Sequence, residues 1–374
     1  MKSLIDKVDY KINHIGSYKK DDVIFLLKDI SQLIKEKGNK EREVAIQSGV
    51  HYSEMLPIEY KPSDRYIELF YKALEEFKKD IAIYVGVVSE MIIKNRGKDI
   101  VLVSLARAGT PVGILIKRYI KFKYNLDLPH YSISIIRGKG IDVNAIKYIL
   151  LKHPHREIQF IDGWTGKGAI NTELNKTCSE LNEKMDIKLN SDLAVIADPG
   201  FLVKTFGTRK DFLIPSACLN STVSGLVSRT VLRDDIIGED DFHGAKFYKE
   251  LINEDLSNYY IDKISEVYNK IVEDVKNQVK ILENCNLEPT FVGLEDIKKI
   301  KNEFNIKDIN FIKPGIGETT RVLLRRVPWK ILIKKNAKNV GHIIQLAKEK
   351  NIQVVEYDLK SYESCGIIKS VEDK

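Results

Sequence analysis

Four short apolar runs, separated by helical stretches, constrain this chain more than any other feature. Residues 100–105 (IVLVSL), 130–136 (HYSISII), 157–161 and 193–197 (LAVIA) are near-continuously apolar rather than alternating. A strand with one wet face alternates, whereas a strand covered on both faces has no reason to. Helical periodicity fills the gaps, over 111–123, 143–151 and 169–182. Such alternation predicts an α/β fold with a parallel sheet between two helical layers. Residues 212–215 are expected as a fifth strand, and a helix over 64–94 precedes the first. Sheets of this kind bind ligands beyond the carboxyl ends of their strands. Three loops of chemical interest lie there.

The first loop, ARAGTP (106–111), puts Arg107 where its strand ends, and Gly109 permits a tight turn toward an anion. The second, RGKGID (137–142), is basic and glycine-flanked, so Arg137 and Lys139 can close over a ligand. The third lies in FIDGWTGKGAI (160–170), an apolar strand that ends in an acid and opens a helix through a glycine-rich turn. Asp162 can hold sugar hydroxyls. Thr165, Gly166, Lys167 and Gly168 can turn backbone N–H groups toward a phosphate at the helix N-terminus. Together the loops predict a grip on a polyanionic sugar phosphate, with Arg107, Ala108 and Gly109 toward a pyrophosphate. A Walker loop fails on spacing: two residues rather than four separate Gly163 from Gly166, and Gly168 stands where Ser or Thr would bind Mg²⁺. A dinucleotide fingerprint around Gly138 fails because Val143 holds the third glycine position.

With 374 residues, 43% of them hydrophobic and 30% charged, the chain suits a soluble protein of two domains. Its longest apolar stretch, 81–93, is broken by Glu90 and is too short to span a bilayer. MKSLIDKVDYKINHIG shows no secretory pattern, and four scattered cysteines form no CxxC pair, so a reduced, cytoplasmic setting is expected. The charged residues 1–45 are expected as a helical extension, 46–285 as the α/β domain and 287–374 as a smaller α/β domain, after an amphipathic stretch over 255–283. In the tail the expected order is helix 294–304, strand 309–312, strand 322–333, helix 340–350 and strand 353–357. Residues 321–339 carry seven cations and no acid, part of a net charge of +7. Arg321, Arg325, Arg326, Lys330 and Lys334 would then lie mostly along an extended segment and contact RNA phosphates. Only Trp329 interleaves them, so recognition of RNA shape and backbone is expected rather than base reading.

Longer motifs carry a family resemblance: GVHYSEMLPIE (49–59), SLARAGTPVG (104–113), HYSISIIRGKGID (130–142), FIDGWTGKGAI, PSACLNSTVSGLVSRTV (215–231) and DFHGAKFY (241–248). They resemble the tellurite-resistance-associated branch of type I phosphoribosyltransferase-like proteins, sometimes labelled StiP-like cysteine proteases. GIGETTRVLLRRVPWKILIK (315–334) is similar to a Pelota-type RNA-binding module. The resemblance implies a type I phosphoribosyltransferase fold followed by a Pelota/L7Ae-like domain, often as a homodimer, in a tellurite or stress response. It implies transfer of phosphoribose from PRPP to an unidentified base, with RNA as a further partner and Mg²⁺ as cofactor, met by Asp162 through the bound PRPP. Asp162, Arg107 and Lys139 would be catalytic; Thr165 to Gly168, Ala108, Gly109 and Arg137 would bind substrate. Tyr52 and Glu54 would belong to the variable hood over the base. One departure stands out: the usual loop has two adjacent acids, and here Ile161 precedes Asp162. A non-catalytic nucleotide-sensing RNA adaptor is therefore an alternative.

A cysteine hydrolase is the other alternative, with Cys218 as nucleophile, His243 as base and Asp198 or Asn220 as orienter. Cysteine is among the residues most often buried, so a core Cys218 is the plainer expectation. Arg229 and Arg233 read as solvated helix charges, and His153 and His155, flanking Pro154, as a surface turn. Trp164 stacks on a base or pins its loop to the core.

Overall fold

The computed structural model describes residues 12 and 14–368. Short pieces come first: β1 (Ile24–Phe25), β2 (Lys28–Asp29), β3 (Glu36–Lys37), α1 (Asn39–Gln47) and β4 (Leu56–Pro57). The long helix α2 (Asp64–Arg96) leads into the alternating series β5 (Ile100–Ala106), α3 (Gly109–Tyr124), β6 (His130–Ile136), β7 (Gly140–Ile141), α4 (Val143–Lys152), β8 (Glu157–Trp164), α5 (Ala169–Met185), β9 (Leu193–Ala197) and β10 (Thr205–Thr208). Strand order is β1-β6-β5-β8-β9-β10, all parallel, with β7 folded back antiparallel on β6. This is a mixed α/β architecture on a mainly parallel sheet.

The apolar continuity of the strands has its cause in this layering. On β5, Ile100 and Leu102 pack into the cluster under α2 and α3, while Val101, Val103 and Leu105 pack under α4 and α5. Both faces are dry. The strand order reverses at β5, with β6 on one side and β8 on the other. Reversal opens a crevice beyond the carboxyl ends, and the loops after β5, β6 and β8 all start from that edge.

Two expectations need correction here. The described part of 1–45 is not chiefly helical: β1 to β3 lie in it, and β1 extends the main sheet beyond β6. Residues 212–215 are not a strand; Phe212 leaves the sheet to pack on Phe77 and Tyr84, at ring distances of 5.4 and 5.6 Å. The last strand is β10 instead, where Gly207 lets α2 come close: a Cβ there would stand 2.5 Å from the Tyr84 carbonyl oxygen. After β11 (Gly244–Ala245), which pairs with β2, the amphipathic stretch 255–283 breaks into α6 (Ser257–Ser265) and α7 (Val272–Glu283).

The tail runs α8 (Val292–Glu303), β12 (Ile312–Pro314), α9 (Ile316–Arg325), β13 (Pro328–Lys334), α10 (Gly341–Glu349), β14 (Gln353–Tyr357) and β15 (Ser364–Ile368). Its sheet order is β12-β15-β13-β14, with only β13 and β14 parallel. The strand expected over 322–333 is half wrong, because its first part is α9. That helix is wedged between the tail sheet and the larger domain: Ile316, Leu323 and Leu324 join the cluster that holds α2 and Ala217. Asp211 seats it, accepting the Ile316 N–H at 2.9 Å and the Glu363 N–H at 2.9 Å. Among the described residues, no helix is long and apolar enough to cross a membrane.

Candidate functional site

The three loops are brought together, and the tail domain is seated on two of them. On the third loop Thr165 is turned inward, its hydroxyl donating to the buried carboxylate of Asp198. Gly166 offers its carbonyl to the Tyr362 hydroxyl at 2.8 Å, and Lys167 Nζ donates to the Ile309 carbonyl at 2.7 Å. Gly168, at φ +76°, adopts the left-handed turn that starts α5. Burial, with Lys313 and Arg137 nearby, holds the Lys167 ammonium down at about 8. On the second loop Arg137 reaches Asn310 Oδ1 at 2.8 Å, and its backbone N–H donates to Tyr52 Oη at 2.8 Å. Tyr52 thus contacts that loop through its hydroxyl. Glu54 shares its turn but lines neither of the two larger cavities described next. Lys139 is exposed beyond Gly138, whose N–H donates to Glu173 at 2.7 Å.

Asp162, Arg107 and Ala108 do converge, around a cavity of about 220 Å³ shared with Trp164, Asn220 and Arg321. Gly109 lies just behind, packed so closely that a Cβ would sit 2.5 Å from the Ile161 carbonyl oxygen. Burial pushes the Asp162 carboxyl up to about 7, against one stabilising N–H from Gly163 at 2.7 Å. Asp162 is the one carboxyl that lines this cavity. No group of three or more His, Cys, Asp or Glu able to hold a metal occurs among the described residues. These donors do not make a protein-held magnesium site. Arg107 donates to the Val227 carbonyl at 2.9 Å and lies 4.0 Å from Glu59.

A larger cleft of about 650 Å³ opens between the two domains, continuous with this corner through Arg107, Asn220 and Arg321. Arg42, Arg229, Lys313 and Arg326 line it. Sequence reading had Arg229 as a solvated helix charge. Here it is outside any helix and mostly buried, its guanidinium held down at about 10 by burial and by Arg42, Arg107 and Arg326. Arg233 is likewise outside any helix, and it pairs with Asp235 at 2.5 Å. The cleft was hard to foresee because its cations come from segments separated by dozens of residues.

The tail cations divide. Arg325 points into the larger domain, with one guanidinium nitrogen on Asn220 and the other on the Cys218 carbonyl at 2.7 Å. Arg321 pairs with Glu318 at 3.1 Å. Lys334 reaches the Lys360 carbonyl at 3.2 Å and lies 3.9 Å from Glu363. Lys330 is half-buried, its ammonium beside the rings of Trp329 and Phe304. The alternating, solvent-facing stripe expected of all five is not formed.

The hydrolase residues are not assembled as a triad. Cys218 is fully buried and its thiol is pushed up to about 12 by burial. His243 Nδ1 is engaged with Ser134 Oγ at 2.8 Å, and its backbone N–H donates to Asp142 at 2.6 Å. Asp198 serves Thr165, Arg209 and the Leu202 and Val203 amides.

A family model described as "Tellurite-like stress resistance cysteine protease StiP" matches residues 16–265, and one described as "PELOTA RNA binding domain" matches 291–370. A protein of Acinetobacter baylyi (strain ATCC 33305 / BD413 / ADP1) named "Cysteine protease StiP" is 34% identical over 369 residues, covering 95% of this chain and 94% of the relative. The crystal structure of a hypothetical protein from Neisseria gonorrhoeae with bound ppGpp aligns at 13% identity over 32% of this chain and 67% of that one. Its TM-score of 0.21 is too low to carry an argument. The names correct the functional expectation. Family and relative are both described as a cysteine protease, so phosphoribosyl transfer from PRPP, and the transferase class with it, does not stand. The stress-resistance setting and the Pelota-type tail do.

Proposed function

The chain belongs to the StiP family, and on that premise we propose that it acts in stress resistance as an RNA-binding protein whose tail makes the contact. One observation carries this reading: an exposed aromatic and cationic face beside β13. Trp329 is 42% exposed, Phe304 meets it edge-on at 6.1 Å, and Lys330 Nζ lies 5.1 Å and 5.0 Å from the two rings. Val327, two residues before Trp329, is also exposed. Bases stack on aromatic rings at about 1–3 kcal/mol each, and an ammonium beside them meets phosphate. The match to the Pelota model spans every one of these residues. Fluorescence anisotropy with a labelled RNA hairpin and a labelled single strand tests it. Trp329→Ala with Lys330→Gln should weaken binding about tenfold or more, a step worth about 1.4 kcal/mol. Unchanged affinity in that double variant would refute the reading.

The family's name favours a second reading, peptide hydrolysis by a thiol. Cys218 Sγ would lose its proton to a base and attack the peptide carbonyl carbon; the amine would leave with a proton, and water would release the acyl group. In the arrangement seen, this thiol is closed off, and Arg325 of the tail holds the Cys218 carbonyl. Turnover through Cys218 therefore needs the tail to shift. Peptidase assays should show complete loss in Cys218→Ala and none in Trp329→Ala. Full activity in Cys218→Ala would rule that nucleophile out.

A further inference from the structure

The interdomain cleft holds more positive charge than its carboxylates balance. Eight Lys and Arg side chains line it against Glu59 and Glu318. Glu318 is taken by Arg321. Glu59 spends one oxygen on the Ser221 N–H and hydroxyl, each at 3.0 Å, and its other lies 4.0 Å from Arg107. Lys61 is paired with Glu254. Among the described residues, Arg229, Arg325, Arg326 and Lys313 form no ion pair, and Arg325 is satisfied only by neutral oxygens. Arg229 goes further: its Nε is buried with no hydrogen-bond partner. Gathering like charges, several of them partly buried, costs stability unless an anion balances them.

The cleft lining is not only cationic. Tyr60, 68% exposed, also lines it, with Pro57, Ile58 and Pro62. A volume of about 650 Å³ suits a ligand of nucleotide size. An exposed aromatic ring and unbalanced cations lining one cleft match a molecule with a flat base and a polyanionic head.

We infer that this cleft binds a nucleoside bearing several phosphates, either free or at the 5′ end of an RNA chain. Arg229 and Arg326 take the phosphates from opposite domains, with Lys313 beside them, and Tyr60 receives the base. Because both domains contribute, the ligand also stabilises their docking. This site is separate from the Trp329 face, so either can fail without the other.

The test is calorimetric titration of the full chain with ATP, tripolyphosphate, adenosine, and two RNA strands that differ only in a 5′-triphosphate or a 5′-hydroxyl. ATP and tripolyphosphate should compete, and adenosine should bind at least tenfold more weakly than ATP. Arg229→Gln should weaken ATP at least tenfold. Arg326→Gln, at an exposed position where folding is not at stake, should do the same, whereas Trp329→Ala should leave ATP affinity unchanged. Tighter binding of the triphosphate-ended RNA, reversed by tripolyphosphate, identifies an RNA end as the source. Equal binding of the two RNAs alongside tight ATP identifies a free nucleotide. No binding of any phosphate probe, or unaltered ATP affinity in Arg326→Gln, overturns the inference.

Discussion

Asp162 and Asp211 are carboxyls that burial holds up to about 7, far above the ordinary carboxylate value of 3.8. A raised pKa in the folded state means that the folded chain binds the proton more tightly than the unfolded chain does. Stability from such a group is therefore full below pH 3.8 and is lost as pH rises toward 7. Asp162→Asn removes this titration and keeps an acceptor for the Gly163 N–H. The variant should match wild type near pH 4 and exceed it at pH 8 by on the order of 2 kcal/mol. Denaturant unfolding at both pH values checks this, and equal stability at pH 8 would contradict the buried-acid account. Asp162 was legible in the sequence because it ends an apolar strand before a glycine turn. Arg229 was not, because nothing near it in sequence distinguishes a charge turned into a cleft from one turned to solvent.

At the scale of elements, legibility followed burial pattern. Strands β6 and β9 were read residue for residue because a doubly covered strand is uniformly apolar over a strand's length. Helix α9 was misread for the same reason. Val322, Leu323 and Leu324 are all buried, since the helix is enclosed by the tail sheet on one side and the larger domain on the other. Three consecutive apolar residues then look like a strand. Strand β10 was missed because TFGT is short and carries a glycine, while the apolar run after it packs without sheet bonding. The seam between the domains is also set by glycine. Gly293 N–H donates to the Gly200 carbonyl at 3.1 Å, and a Cβ on Gly293 would lie 2.3 Å from the Tyr362 hydroxyl and 2.7 Å from Gly200 Cα. Backbone cannot yield cheaply there, so overpacking should cost about 1–3 kcal/mol of docking.

The whole molecule is held as one structure by that seam. Tyr362 on Gly166, Lys167 on Ile309, Asp211 on α9 and Arg325 on Asn220 all cross it, and apolar residues of α9 and α10 continue the core of the larger domain. Stacking of the tail on the loops explains why neither the loop cluster nor the cleft can be understood from one domain alone. The sequence marked the two units by composition but held no signal for their contact, since the contact pairs residues far apart along the chain, such as Gly166 with Tyr362 and Gly200 with Gly293. Two tryptophans give a direct measurement: Trp164 sits in the larger domain and Trp329 in the tail. Urea unfolding of Trp164→Phe and Trp329→Phe, each leaving a single reporter, should give coincident midpoints, and adding Gly293→Ala should split them, with the tail leaving first. Separate midpoints in the absence of Gly293→Ala would contradict the account, because the shared cleft requires the two domains to stand as one unit.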